Sequence, residues 1–304
     1  MVVRKIKKPV LGIFSRKKSL YSTRRLVEAA RAQGLRPKVI DALKCHLVLE
    51  QGRPRLLYDG KELVPPRVAL PRIGAKVTSH GLAVVRQLEA MGVPVVNGAT
   101  AIAQSRDKLR CLQLLAAQGV PIPRTVLARG AADVEMLLGQ VGGLPAILKL
   151  IQGTQGVGVM IAHSRAEVES FLSTLWDLGQ EILLQEFIAE SKGRDVRALV
   201  VGDRLVGAMR REARAGEFRS NIHRGASGAA IELDEGFARV AVRAAQVLGL
   251  DVAGVDLLES DRGPLVMEVN SSPGFEGLEK ATGLPIAEAI ITHARALADR
   301  QSVV

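Results

Sequence analysis

Short apolar runs alternate with amphipathic stretches along the first hundred residues, and this alternation limits the fold more than any other feature of the sequence. Buried strands are predicted at Val10–Ser15, Lys38–Asp41, Val68–Ile73 and Val95–Asn97. Helices are predicted at Ser19–Gln33 and Thr78–Met91, and a glycine follows each of them. Strands that alternate with helices form parallel sheets, so we expect a small parallel α/β layer. No G-x-G-x-x-G follows the first strand, which argues against a Rossmann dinucleotide site.

Beyond about residue 98 the pattern changes to a mixed α+β order. A helix is predicted at Ser105–Gln118, with Ser105 as its N-cap, and another at Pro285–Arg300. The strands predicted between them are Thr125–Ala128, Ala146–Leu150, Val159–Ala162, Ile182–Phe187, Val196–Val201, Leu205–Arg211, Ala253–Glu259 and Leu265–Val269. We therefore expect one domain at residues 1–98 and a second at residues 99–304.

The composition excludes several classes of protein. Aromatic residues make up only 3% of the chain, which argues against proteins that bind single strands by stacking bases on exposed rings. Two cysteines cannot form a disulfide framework and suit a reducing compartment. The longest uncharged stretch, Ala90–Ser105, is interrupted by Gly, Pro and Asn and is too short to span a membrane. We expect a cytoplasmic protein without a membrane partner.

The net charge of +11 is distributed unevenly along the chain. Residues 1–110 carry 23 basic and 7 acidic side chains, a net +16, whereas residues 111–304 carry a net −5. Within the second part, Arg194–Arg224 contains eight arginines, and Asp251–Glu279 contains seven acidic residues. Clusters of opposite sign in one fold indicate a site that handles anions together with a divalent metal.

A glycine-rich loop follows a predicted strand that contains Lys149. The sequence Gln152–Gly158 holds three glycines and Thr154. Glycines allow backbone N–H groups to approach phosphate oxygens closely, and a lysine on the adjacent strand adds a fixed positive charge. The glycines alone suit an ordinary hairpin equally well, but the lysine beside them favours phosphate binding.

Three oxygen-bearing residues lie on two neighbouring predicted strands. Glu268 and Asn270 are two residues apart and therefore face the same side of their strand. Asp256 lies on the preceding strand. Carboxylate and amide oxygens suit Mg²⁺ or Mn²⁺, particularly when phosphates complete the coordination. A solvated polar face is the alternative, which the apolar flanking residues disfavour.

Two further segments carry weaker signals. The strand end Gln185-Glu186-Phe187 can offer backbone groups to the edge of an adenine ring. The segment Arg210–Gly225 combines several arginines with Asn221 and is either an anion clamp or an exposed basic loop. No motif for a nucleophilic serine or cysteine accompanies these residues.

Taken together and in this order, these motifs resemble the ATP-grasp superfamily, and within it the RimK family. The resemblance covers nearly the whole chain. Its most specific segments are Leu20-Tyr21-Ser22, Pro71–Gly74, Arg106–Arg110, Gly153–Gly156, Arg219–Gly225, Asp251–Asp256 and Gly263–Asn270. Departures from the family pattern are small: Ser271 stands where Ala is common, and Phe187 where Tyr is common. The basic start, Val2–Lys8, extends beyond the family pattern.

The resemblance implies both a fold and a set of site residues. The fold is a pre-ATP-grasp α/β domain followed by an ATP-grasp domain of two parts, at about residues 99–188 and 189–304. ATP would be bound through its phosphates, adenine and ribose, and two Mg²⁺ or Mn²⁺ would be held beside it. The implied ATP-binding residues are Lys108, Lys149, Gly153, Thr154, Gln155, Gly156, Glu186, Phe187, Asp195, Arg219, Ser220 and Asn221. The implied metal ligands are Asp256, Glu268 and Asn270, with Glu268 bridging the two ions.

The activity implied is ATP-dependent ligation of a carboxylate to an amine through an acyl phosphate. Arg219, with Arg211 as a second candidate, would stabilise the negative charge of the tetrahedral intermediate. In the RimK family, L-glutamate is added to the C-terminus of the ribosomal small-subunit protein S-six. A small-molecule or carrier-protein acceptor is the main alternative, and a homo-oligomer is compatible with the sequence. A nucleic-acid binder without catalysis is suggested only by the charge of +11, and it leaves Lys149, Glu268 and Asn270 unexplained.

Overall fold

The computed structural model of the chain describes residues 8–74, 77–129, 133–151, 158–214 and 227–300. The first part begins with β1 (Val10–Phe14), α1 (Tyr21–Ala32) and β2 (Arg36–Ile40). It continues with β3 (Cys45–Val48), β4 (Arg55–Tyr58), β5 (Lys61–Glu62), β6 (Val68–Pro71) and α2 (Thr78–Ala90). Strands β2, β1 and β6 pair in that order, all parallel, which confirms the predicted α/β layer. Strands β3, β4 and β5 form a separate antiparallel sheet.

The second part contains two larger antiparallel sheets. It runs through α3 (Ala99–Arg106), α4 (Lys108–Ala117), β7 (Thr125–Ala128), α5 (Val134–Gln140), β8 (Ala146–Leu150), β9 (Val159–Ala162), α6 (Arg165–Asp177) and β10 (Ile182–Glu186). It ends with β11 (Arg194–Val201), β12 (Arg204–Glu212), β13 (Ser227–Ala230), α7 (Glu235–Val247), β14 (Val252–Ser260), β15 (Gly263–Asn270), α8 (Glu276–Thr282) and α9 (Ile286–Arg300). One sheet has the order β7-β10-β8-β9, and the other has the order β13-β12-β11-β14-β15.

Two of the predicted elements have a different form in the structure. Val95 makes a single parallel bridge to Ala69 in place of a strand. The predicted helix at Ser105–Gln118 is two helices, because Asp107 has an extended backbone and separates α3 from α4. The side chain of Asp107 caps α4 by accepting a hydrogen bond from the backbone N–H of Arg110 at 2.9 Å, so Asp107 is the N-cap. Ser105 lies within α3 and donates to Ile102 O at 3.0 Å.

The hydrophobic cores explain how the layers hold together. The sheet β7-β10-β8-β9 packs on α5 and α6 and has a core of its own, which includes Leu148, Leu172 and Leu184. A different core joins the parallel layer to the end of the chain, because Leu11 of β1 and Ile290 of α9 belong to one cluster with residues of β11 and β12. The last helix therefore packs on the first domain. Within the described residues, no helix is long and apolar enough to cross a bilayer.

Candidate functional site

Two lysines approach each other where α4 begins and β8 ends. Lys108 is the first residue of α4, and its Nζ donates to the backbone oxygen of Leu150 at 2.9 Å. Lys149 lies on β8 and is half-buried. Desolvation, opposed by the charge of Glu268 and assisted by that of Lys108, lowers the pKa of Lys149 to about 8. The predicted phosphate-binding lysines therefore lie close to each other and to Glu268.

Two predicted metal ligands face each other on adjacent strands. Asp256 of β14 and Glu268 of β15 are directly paired in register, and Asn270 is paired with Gly254. Glu268 is exposed to solvent on one side. Desolvation by the surrounding protein, followed by the negative charge of Asp256, nevertheless raises its pKa above the usual value. Among the described residues, Glu268 has no hydrogen-bond or ion-pair partner. The site thus presents a carboxylate that a cation would stabilise.

Asp256 is held by two arginines. Its two oxygens accept from Arg197 at 2.6 Å each, and Oδ2 also lies 3.0 Å from Arg211. Burial alone would raise the pKa of Asp256, but the charges of Arg197 and Arg211 outweigh it and keep the pKa below the usual value. These bonds occupy three of the roughly four acceptor positions of a carboxylate. Asp256 can therefore still ligate a metal ion while it is fixed in place.

The structure changes the interpretation of Asp195 and Arg211. Both oxygens of Asp195 accept from Arg211 at 2.6 Å, and the two residues are 2% and 3% exposed. Asp195, which the resemblance assigns to a ribose hydroxyl, therefore faces a buried guanidinium. Arg211, the second candidate for the catalytic arginine, bridges Asp195 and Asp256 inside the sheet. Its contacts hold the carboxylate of Asp256 in place, and its role as a catalytic arginine stays a prediction.

The predicted hinge is built around the carboxylate of Glu186. Its two oxygens accept hydrogen bonds from the Arg124 side chain at 2.9 Å and from Arg262 at 2.7 Å. Although partial burial opposes ionisation, these bonds lower the pKa of Glu186 to about 2. Arg124 immediately precedes β7 and Arg262 lies in the turn between β14 and β15, so Glu186 ties the two large sheets together. Phe187 follows it and is half-buried.

Several predicted site residues lie outside the described residues. They are Gly153, Thr154, Gln155 and Gly156 of the glycine-rich loop, and Arg219, Ser220 and Asn221 of the arginine-rich segment. The strands on both sides of the glycine-rich loop, β8 and β9, are antiparallel neighbours, with Lys149 opposite Val159. Gly158 immediately precedes β9 with a φ of +75°, and a Cβ there would lie 2.6 Å from the side chain of Leu150. A residue with a side chain would therefore be strained at this position.

Three arginines near the site were given no role from the sequence. Arg197 could have been given one, because it lies two residues from Asp195 on a strand and so shares its face. Arg72 and Arg106 lie in segments that carry the resemblance, but their approach to each other could not be predicted, since they come from a loop after β6 and from the end of α3. The charge of Arg106 lowers the pKa of Arg72, so the two arginines are neighbours. The charge of Glu268 raises the pKa of Arg106, which places Arg106 near the carboxylate pair.

The donor set fits a hard divalent ion. The described residues contain no group of three or more His, Cys, Asp or Glu that could hold a metal. What β14 and β15 supply is two carboxylates and an amide, whose Nδ2 donates to Gly254 O at 3.4 Å and leaves the amide oxygen of Asn270 as the acceptor. Such a set suits Mg²⁺ or Mn²⁺ when phosphate oxygens complete the coordination. The raised pKa of Glu268 also suits a metal site, because a bound cation would stabilise the ionised carboxylate.

Family models match almost the whole chain. The RimK PreATP-grasp domain matches residues 10–102, and the RimK-like ATP-grasp domain matches residues 105–294. The chain belongs to the RimK-like ATP-grasp family. Its fold is that of the family, a pre-ATP-grasp domain followed by an ATP-grasp domain, as the sequence predicts.

Relatives in the RimK-like ATP-grasp family carry a consistent name. A probable alpha-L-glutamate ligase of Aliivibrio fischeri is 51% identical over 281 residues, which are 92% of this chain and 93% of the relative. A probable alpha-L-glutamate ligase of Rhodopirellula baltica is 51% identical over 289 residues, 95% of this chain and 71% of the relative.

Solved structures share the fold at low identity. The ATP-grasp ligase PsnB, complexed with a minimal precursor, matches with a TM-score of 0.76 and 23% identity over 95% of this chain and 98% of PsnB. PsnB has also been solved with Mg and ADP. The macrocyclase MdnC of Microcystis aeruginosa, bound with the precursor peptide MdnA, matches with a TM-score of 0.71 and 13% identity over 94% of this chain and 99% of MdnC.

Proposed function

We propose that this protein is an ATP-dependent ligase that adds L-glutamate to the C-terminus of a protein acceptor in the cytoplasm. The proposal rests on the proximity of Lys108 and Lys149 to Glu268. This arrangement places cations suited to phosphates beside oxygen donors suited to a metal. The names of the relatives support glutamate as the amino acid that is added.

The residues of the site divide into groups by the part of ATP they suit. Lys108 and Lys149 contact the phosphates under the glycine-rich loop, and Glu186 and Phe187 border the adenine at the hinge. Asp256, Glu268 and Asn270 hold two Mg²⁺ or Mn²⁺. When bound, these ions neutralise charge on the β- and γ-phosphates during transfer.

The reaction proceeds in two steps. An oxygen of the acceptor carboxylate attacks the γ-phosphorus of ATP, the bond to the bridging oxygen breaks, and ADP leaves with the electron pair. The amine of L-glutamate then attacks the carbon of the acyl phosphate, a C–N bond forms, inorganic phosphate leaves and the amine loses a proton. Arg219 stabilises the negative oxygen of the tetrahedral intermediate. No nucleophilic side chain is needed, in agreement with the absence of such a motif from the sequence.

The acceptor we propose is the ribosomal small-subunit protein S-six, whose acidic tail would be lengthened by glutamate residues. The charge of +16 in residues 1–110 favours an acidic protein acceptor. A small-molecule or carrier-protein acceptor is the second candidate, and the precursor peptides bound in structures of PsnB and MdnC favour a peptide over a small molecule.

Labelled L-glutamate, ATP, Mg²⁺ and purified ribosomal proteins test the proposal directly. We expect label on a single protein band, and intact mass spectra that rise in steps of one glutamate residue. Glu268→Gln is the matched control and leaves the masses unchanged. Label that appears only in small-molecule fractions would favour the second acceptor class, and no ATP-dependent label in any fraction would refute glutamate ligation.

A further inference from the structure

Three buried polar atoms beside the site have no hydrogen-bond partner among the described residues. They are Nε of Arg106 and the hydroxyl oxygens of Ser271 and Ser272. Ser271 is 2% exposed, and both serines directly follow Asn270 at the end of β15. Buried polar groups in folded proteins are almost always bonded, so a group of orphaned ones next to a reaction site indicates a missing ligand.

Hydrogen bonds connect the segments that carry these atoms. The Arg106 guanidinium donates to the backbone oxygen of Ile73, and the neighbouring Arg72 donates to the backbone oxygen of Pro273 at 2.6 Å. The segment 72–73 therefore connects Arg106 to the turn that contains the two serines. In the same turn, the backbone oxygen of Ser271 accepts from Nδ2 of Asn97 at 2.7 Å. The protein itself thus holds the two guanidinium groups and the backbone of Ser271.

The charges of this group are not balanced locally. Neither Arg72 nor Arg106 forms an ion pair with a carboxylate in the part of the chain that the structure describes. Burial, followed by the charge of Arg106, lowers the pKa of Arg72 to about 10, and burial lowers the pKa of Arg106. The charge of Glu268 offsets that of Arg106 in part. Two neighbouring, partly buried guanidinium groups without a paired carboxylate are still unfavourable, and a bound anion would relieve both the desolvation and the repulsion.

We propose that Arg72, Arg106, Ser271 and Ser272 form a subsite for a carboxylate group of a reactant, separate from the lysines that contact the ATP phosphates. Guanidinium groups bind carboxylates through paired N–H donors, and the serine hydroxyls supply two more donors. The inference rests on the proposed function in one respect, because that reaction brings two carboxylate-bearing reactants to the site around Glu268. The carboxylate belongs either to the incoming amino acid or to the acceptor.

Steady-state kinetics of the full-length enzyme with Arg106→Gln, Ser272→Ala and the control Arg86→Gln test the subsite. Arg86 is an exposed arginine of α2 and belongs to neither the proposed subsite nor the ATP site. The substrates varied are ATP, L-glutamate and a peptide that ends in glutamates. We expect Arg106→Gln to raise the KM of one carboxylate substrate at least tenfold and Ser272→Ala to raise it two- to fivefold. The KM of ATP stays within twofold in both variants, and the control changes nothing.

Amide analogues identify which carboxylate is bound. If the subsite holds the α-carboxylate of the amino acid, the unmodified enzyme discriminates against L-isoglutamine and Arg106→Gln loses that discrimination. L-glutamine tests the side-chain carboxylate in the same way. If the subsite holds the acceptor, only the KM of the peptide rises and discrimination among the amino acids is unchanged. A rise confined to the KM of ATP, or no rise at all in a folded Arg106→Gln or Ser272→Ala enzyme, would overturn the proposal.

Direct binding separates this inference from the proposed function. If the unmodified enzyme does not ligate glutamate, calorimetric titration with L-glutamate and with the peptide, in the presence of Mg²⁺ and ADP, still tests the subsite. Binding that weakens at least tenfold in Arg106→Gln supports the subsite although the proposed function has failed. Equal binding by both proteins, or no binding by either, refutes it. Thermal melts of each variant verify that the fold is retained.

Discussion

Replacement of Arg211 by methionine should destabilise the fold strongly, because Arg211 is the buried centre of a charge network. The side chain of Arg211 is 4% exposed, and it contacts Asp195 and Asp256, whose side chains are each 3% exposed. Methionine has a similar length and no charge, so the substitution removes the two charge-assisted hydrogen bonds that Asp195 accepts from Arg211 and one contact of Asp256, which keeps Arg197. Removal of one partner from a buried ion pair costs about 3–5 kcal/mol of unfolding free energy.

Urea denaturation followed by circular dichroism at pH 7 measures this loss. The surface pair Arg239–Glu235 is the control: its N···O distance is 3.0 Å and its side chains are 74% and 90% exposed. Arg239→Met should cost at most about 1 kcal/mol. At pH 7 the carboxylate of Asp256 is fully ionised, since its pKa lies below 3.8, and its contribution to stability is lost only as the pH falls through that lower pKa.

A double-mutant cycle with Asp195→Asn isolates the interaction itself. If the two side chains stabilise each other, the double variant loses less than the sum of the two single variants, with a coupling of about 1–3 kcal/mol. A loss below about 1 kcal/mol for Arg211→Met, together with additive effects in the cycle, would refute this reasoning. Arg211 would then be available for direct contact with a reactant, as the sequence suggests.

Three further predictions concern the metal site, the phosphate site and the junction of the domains. Glu268→Gln should abolish ligation without lowering the melting temperature, because it removes a metal ligand and also the repulsion with Asp256; near-normal turnover would contradict the assignment. ATP affinity should fall as the pH rises through about 8, where Lys149 loses its charge, and Lys149→Arg should remove that fall. An ATP affinity of the wild-type enzyme that stays constant up to pH 9.5 would disprove this prediction. Asn97→Ala should cost about 3 kcal/mol of unfolding free energy, since it removes three buried hydrogen bonds of 2.7–2.9 Å; a cost below 1 kcal/mol in urea would count against this.

The sequence predicts the features that depend on local periodicity. The parallel layer follows from alternating strands and helices, and the shared face of Glu268 and Asn270 follows from the two-residue repeat of a strand. The break at Asp107 was missed because the apolar periodicity continues through it, and only the extended backbone shows that α4 starts anew. Strand β13 was missed because Ser227–Ala230 has small, exposed residues with no alternation.

The partners of charged residues could not be predicted, since they depend on which strands become neighbours. The sequence places Asp195, Arg211 and Asp256 within 62 positions of one another, but only the order β12-β11-β14 puts Arg211 between the two aspartates. The resemblance assigns separate roles to Asp195 and Arg211. The register of the sheet shows that they act as a pair.

The positive charge of residues 1–110 serves more than one purpose. An attraction for an acidic acceptor would place all of this charge on the surface, yet Arg106 and Lys108 lie near Glu268 and Arg72 lies near Arg106, and burial lowers the pKa of each. Arg25 and Arg55 are already paired with carboxylates of the chain. Because partly buried charges are screened by salt much less than exposed ones, these three cations keep their attraction for anions at physiological ionic strength. We therefore expect residues 1–110 to contribute directly to the binding of the reactants, so that only their remaining exposed cations attract the acceptor from a distance.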